Sequence, residues 1–141
     1  MNKYIKKYLS FLMICIILTS ASMPVYAKTT KKITVKKVYV RSNDNVTKVK
    51  VKISNKYKKK EATYGEEFYV YKKEDGNWKK IEWSEGYGFD DIEIVILPKK
   101  TAKRVFTIRQ KYLSEKLEKN KTYKIVFKVS GYKKSIKFKL K

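Results

Sequence analysis

Ser130 and Lys133 stand three residues apart, the separation at which a lysine amine can act as base for a serine hydroxyl when a helix lines the two up. Gly131 lies between them and marks a hairpin turn, so no helix aligns the pair and it reads as turn structure. The chain has no histidine, and its one cysteine, Cys15, sits in the apolar N-terminal stretch. A serine, histidine and aspartate triad and a thiol nucleophile are therefore both excluded from the exported chain. Zinc, copper and iron sites draw on the same two missing residue types, which leaves only cations that accept oxygen ligands. Asp90, Asp91 and Glu93, with Glu85 nearby, are the candidates for such a cation. Adjacent aspartates ahead of a strand diverge and match no calcium-loop spacing, so they read as an acidic, solubilising loop. No catalytic residue, metal or cofactor is expected.

Binding chemistry is better represented. Lys124, Lys128, Lys137 and Lys139 alternate with apolar residues near the C-terminus, and Tyr69 and Tyr71 alternate with Phe68 and Val70. Ammonium groups interleaved with exposed rings attract phosphates or carboxylates while the rings stack, which makes these six residues candidates for binding a polyanion. The plainer role for the tyrosines is to cover lysine stems across strands. Trp78 and Trp83 read as core or hairpin-packing residues.

Strands must position these groups, because period-two alternation runs through the chain from Ile33 onward. A first run, Ile33 to Arg41, ends in the turn formers Ser42, Asn43, Asp44 and Asn45. A second sets Val49, Val51 and Ile53 against Lys48, Lys50 and Lys52, and Lys56 to Lys60 follow as a charged loop. The third runs from about Glu67 to Lys72, and Asp75 and Gly76 turn it into a hairpin with Trp78, Ile81 and Trp83. Ile92, Ile94 and Ile96 then alternate with Glu93 and Val95 up to Pro98, which cannot continue a ladder. Phe106 and Ile108 belong to the next strand, and residues 109–117 form a crossover with at most one helical turn. Tyr123 to Val129 and Ile136 to Leu140 close the chain as a hairpin around Gly131. Seven or eight short strands without alternating helices predict an all-β fold, an antiparallel sandwich with Greek-key connections. An up-and-down barrel is the second architecture.

Ahead of the strands, Lys3, Lys6 and Lys7 precede an apolar run from Leu9 to Leu18 that is too short to span a bilayer, and Val25, Tyr26 and Ala27 suit a signal peptidase. Residues 1–27 therefore read as a signal peptide and 28–141 as one exported domain, with no transmembrane span after cleavage. Met13 and Ile14 before Cys15 do not suit lipidation. The full chain carries 36 basic and 13 acidic side chains; losing three lysines with the leader leaves 33 against 13, a formal +20. Ten of the acids fall in residues 61–93 beside only Lys72, Lys73, Lys79 and Lys80. The domain is thus expected to have a cationic body and an acidic end or edge.

Asn55 closing the second strand, Tyr64, Gly65 and Phe68, the Asp75, Gly76 and Trp78 hairpin, the Leu97–Pro98 pair and the approach from Leu117 to Tyr123 together form a recognisable set. In these landmarks the chain resembles the bacterial immunoglobulin-like domains of secreted Gram-positive proteins, from about Ile33 to Leu140. The resemblance implies an immunoglobulin-like sandwich and a noncatalytic binding or spacer module, and it transfers no functional residues. Tyr123 suits a tyrosine corner. In such a sandwich the third, penultimate and last strands share a sheet, which would put the candidate lysines and tyrosines on one outer face. The expected function is a secreted or wall-associated, nonenzymatic module that binds an anionic cell-wall polymer or another extracellular polyanion. The alternative is interaction with another surface protein, including self-association through 61–93. Nucleic acid is permitted by charge, but no recognition motif supports it.

Overall fold

The computed structural model describes residues 32–141. The expected signal peptide and its expected cleavage site lie outside the described residues. Nine strands are present among them: β1 (Ile33–Ser42), β2 (Val46–Asn55), β3 (Ala62–Gly65), β4 (Phe68–Glu74), β5 (Asn77–Ile81), β6 (Glu93–Ile96), β7 (Thr101–Arg109), β8 (Thr122–Val129) and β9 (Tyr132–Lys139). A single 3₁₀ turn, Gln110–Tyr112, stands where one helical turn was expected.

Two antiparallel sheets, ordered β1-β2-β7 and β5-β4-β8-β9, face each other, and a two-stranded β3-β6 sheet completes the fold. The chain crosses from the first sheet to the second after β2, returns for β7 and crosses again for β8, the Greek-key pattern of an immunoglobulin-like sandwich. Alternation places Val49, Val51 and Ile53 of β2, Val70 of β4, Phe106 and Ile108 of β7, Ile125 and Phe127 of β8 and Phe138 of β9 in the buried core. Each is the inward half of a polar-apolar pair read from the sequence.

Two buried polar residues fix the frame. Asn55 is 1% exposed. Its amide donates to the carbonyls of Lys60 (2.8 Å), Ile96 (3.0 Å) and Leu97 (3.3 Å), and its Oδ1 accepts the Tyr57 N–H (3.0 Å). This one side chain ties the end of β2 to the loop before β3 and to the end of β6. Tyr123 forms the expected corner: its hydroxyl accepts the Glu118 N–H at 2.6 Å and donates to the Glu118 carbonyl at 3.3 Å. Burial pushes the Tyr123 phenol above its ordinary pKa.

Three readings change. Ala62–Gly65 forms a strand that the sequence reading left unassigned, because four residues after a lysine run carry too short an alternation to register. Ile92 and Ile94 are exposed at 48% and 38%, and only Ile96 of that trio is buried. β6 pairs with β3 at the margin of the sandwich, so most of its apolar side chains have no opposing sheet. Trp78, read as packing, lies half-buried on the outer surface of its sheet. Trp83 does pack inward: its Nε1–H donates to the Phe68 carbonyl at 3.2 Å, and its ring meets Phe68 edge-on at 5.3 Å.

Candidate polyanion-binding face

Cross-strand register assembles the predicted residues into one surface. Lys80, Tyr71, Lys124 and Lys137 form an unbroken row across β5, β4, β8 and β9, since Tyr71 faces both Lys80 and Lys124, and Lys124 faces Lys137. Lys139 opposes Thr122 on the same side, Lys128 opposes Lys133, and Tyr69 opposes Val126. All six candidates therefore share the outer face of the four-stranded sheet. Their inward neighbours Val70, Tyr123, Ile125, Ile136 and Phe138 fill the core and hold the face in place.

Trp78 is the residue that sequence reasoning missed here. The Lys124 ammonium lies 4.5 Å from its ring centroid and 4.8 Å from that of Tyr71, and Lys137 lies 5.7 Å from Trp78. Parity could have found it: counting two residues back from Lys80 across the hairpin puts Trp78 on the outward side. Partial burial, then repulsion from Lys137, lowers the Lys124 pKa below the usual lysine value. At one margin the Tyr69 hydroxyl donates to the Glu67 carboxylate, which raises the tyrosine's pKa. Lys80 stacks over Tyr69 at 4.8 Å and pairs with Glu82 at 2.7 Å. Among the described residues, the ion pairs and hydrogen bonds that acids make to these groups, from Glu67 and Glu82, lie at that margin.

The opposite sheet carries a comparable outer face that the sequence reading did not single out, although its alternating lysines in β2 were visible. Lys36 opposes Lys52, which in turn opposes Lys103, and Arg41 opposes Lys48. Tyr39 lies under both Arg41 (4.9 Å) and Lys50 (5.5 Å). The difference between the two faces is geometric: only the β5-β4-β8-β9 face gathers two ammonium groups about a tryptophan.

The acidic segment is partly consumed by the molecule's own cations. Glu74 pairs with Lys72 (3.1 Å) and Lys79 (3.8 Å). Lys72 is buried and also bonds Glu118 at 2.6 Å, with Glu115 at 3.9 Å. Those carboxylates raise the Lys72 pKa, and Lys72 lowers those of Glu74 and Glu118. Asp90, Asp91 and Glu93 line an exposed loop and strand start, and among the described residues no group of three or more acids is placed to hold a metal ion. Ser130 occupies the β8–β9 turn at φ 49°, where its Oγ accepts the Thr63 N–H at 3.0 Å. That hydroxyl is part of the anchor for β3.

A family model described as a bacterial Ig-like domain matches residues 27–139. No curated protein matches the chain.

Proposed function

Because this chain belongs to the family of bacterial Ig-like domains, we propose that it is a surface binding module that holds an anionic extracellular polymer against its β5-β4-β8-β9 face. Domains of this family are generally non-catalytic and often extracellular, and serve as binding or adhesion-type modules. No helix among the described residues is long and apolar enough to cross a membrane.

One observation carries the reading: the directly opposed Lys124 and Lys137 are gathered about the Trp78 ring, with Lys128 opposite Lys133 on the same face. Like charges placed opposite each other across a ladder oppose folding. Phosphates or carboxylates spaced along a polymer would neutralise both pairs, and the Trp78 and Tyr71 rings would support its uncharged backbone. Anion binding thus relieves a cost that the free sheet carries.

The test is sedimentation of residues 28–141 with isolated wall polymer at rising salt. Retention at low salt should be lost as the screening length falls from about 10 Å at 0.1 M to about 3 Å at 1 M. Changing Lys124, Lys128, Lys137 and Lys139 to glutamine should weaken retention at least tenfold. The same change at Lys36, Lys48, Lys52 and Lys103, equal in charge but on the other sheet, should weaken it less than threefold. Equal losses from the two sets would reduce the effect to net charge and defeat the face-specific reading.

A further inference from the structure

We propose that the free edge of β7 is a second binding site, which takes an extended acidic peptide by adding it to the sheet as a strand. This site lies outside the polymer-binding face, and its ligand class differs.

The backbone of β7 supplies the first argument. Asn55 donates its N–H to the Lys100 carbonyl, and Gln110 donates to that of Asn45, so the opposed pairs at both ends of the β2–β7 ladder are hydrogen-bonded ones. Bonded pairs recur every second residue in an antiparallel ladder. The even-numbered residues of β7 are therefore bonded to β2, and Lys103, Val105, Thr107 and Arg109 turn their N–H and C=O groups the other way. No strand among the described residues pairs with that edge. β6 precedes β7 across a tight turn, where the Lys100 N–H bonds the Leu97 carbonyl, but it pairs with β3 instead.

The space beside this edge is a cleft of about 710 Å³; its lining includes those same four residues, Tyr64, Phe89 and Ile94, and the charged Arg104, Glu66 and Asp90, so cations outnumber acids around it three to two. Arg104 lines the cleft from the inner side of β7, opposite Val51, with its guanidinium 4.2 Å from the Phe106 centroid and Nη2 donating to the Glu66 carbonyl at 2.6 Å. Val105 and Ile94 are left 42% and 38% exposed at the rim.

Edge lysines ordinarily deter strand addition. Here they select the partner. An added strand would alternate its side chains between the outer surface, facing Lys103 and Arg109, and the cleft, facing Tyr64, Phe89 and Ile94. Acidic residues suit the first set and apolar residues the second, so the ligand is a segment that alternates the two. A second copy of this chain is disfavoured, because antiparallel pairing of two β7 edges about their midpoint would set Lys103 of one copy against Arg109 of the other.

The experiment uses residues 28–141, which contain the whole described core, and a synthetic peptide alternating glutamate and valine. Amide hydrogen exchange should slow at least tenfold at Val105 and Thr107 when the peptide is added. A peptide N-methylated on every second residue, the face that meets β7, should bind at least tenfold more weakly, and a lysine-valine version should not bind. Val105→Pro removes one outward N–H without touching the β2 ladder and should abolish protection; if that variant misfolds, the N-methylated peptide decides the question on the unaltered protein. Equal binding of the N-methylated peptide, protection centred on Lys124 and Lys137, or protection that grows with protein concentration without peptide would each overturn the proposal. Glutamine at Lys124, Lys128, Lys137 and Lys139 should leave peptide binding within twofold, so failure here is distinct from failure of the polymer reading.

Discussion

Asn55→Ala is expected to destabilise the domain by about 3 kcal/mol. The substitution removes an amide that serves the carbonyls of Lys60, Ile96 and Leu97 and an oxygen that serves the Tyr57 N–H. Three of these contacts are 3.0 Å or shorter, and a net contribution of about 1 kcal/mol for each gives the estimate. Alanine returns none of these bonds, and it leaves the Ile96 carbonyl without its amide partner in a buried position. For a domain of this size, 1 kcal/mol moves the melting midpoint by roughly 4 °C, so a fall of about 12 °C should accompany the change. Equilibrium unfolding in urea measures the first quantity and calorimetry the second, with an unchanged denaturant slope showing that the same structure unfolds. Exchange at Tyr57 and Lys99, whose amides belong to the same knot of backbone, should accelerate more than exchange at Ile125 in the far sheet. A loss below 1 kcal/mol, or uniform acceleration across both sheets, would refute the claim that this side chain pins β3 and β6 to β2.

Two further outcomes follow from buried polar groups. Tyr123→Phe keeps the ring and deletes the hydroxyl that accepts the Glu118 N–H, so urea unfolding should show a loss of about 1–2 kcal/mol. Because the folded Tyr123 pKa is raised, its contribution is present below the ordinary value of 10.0 and is lost as pH rises through the folded value. The gap between wild type and the Phe variant should therefore narrow in alkali; a constant gap would sink that assignment. At the acid end, Glu74 and Glu118 have folded pKa values held below the ordinary 4.5 by Lys72. Their contribution is present above 4.5 and is lost as pH falls through the folded values. In Lys72→Met the urea midpoint should depend less steeply on pH over that acid range, and identical slopes in the two proteins would show that the ion cluster is energetically silent.

Alternation carried most of the fold. The runs at Val49–Ile53, Phe68–Val70 and Tyr123–Val129 are legible because a strand half in water must set polar and apolar residues on opposite sides, and that period survives in a single sequence. The same parity placed Tyr69, Tyr71, Lys124, Lys128, Lys137 and Lys139 on one outer surface. It broke down at Ile92 and Ile94, where the period is present but the opposing layer is absent, and at Ala62–Gly65, where the run is too short to show a period. The inward Arg104 was within reach, since Phe106 and Ile108 fix its side of β7, but a charged residue in a core position contradicts the usual pattern and was passed over.

By itself, then, the amino-acid sequence determined the all-β class, the inward and outward side of most strand residues, the tyrosine corner at Tyr123 and the lack of histidine and of any cysteine beyond Cys15, all of which depend on residue type and local spacing. Tertiary structure alone decided which strands lie side by side. That pairing brought Lys124 and Lys137 around Trp78, gathered Glu74, Glu115 and Glu118 about Lys72, and left one edge of β7 unpaired among the described residues. Most of these contacts join residues on different strands or loops, and a periodic pattern records which way a side chain points without recording what it meets there.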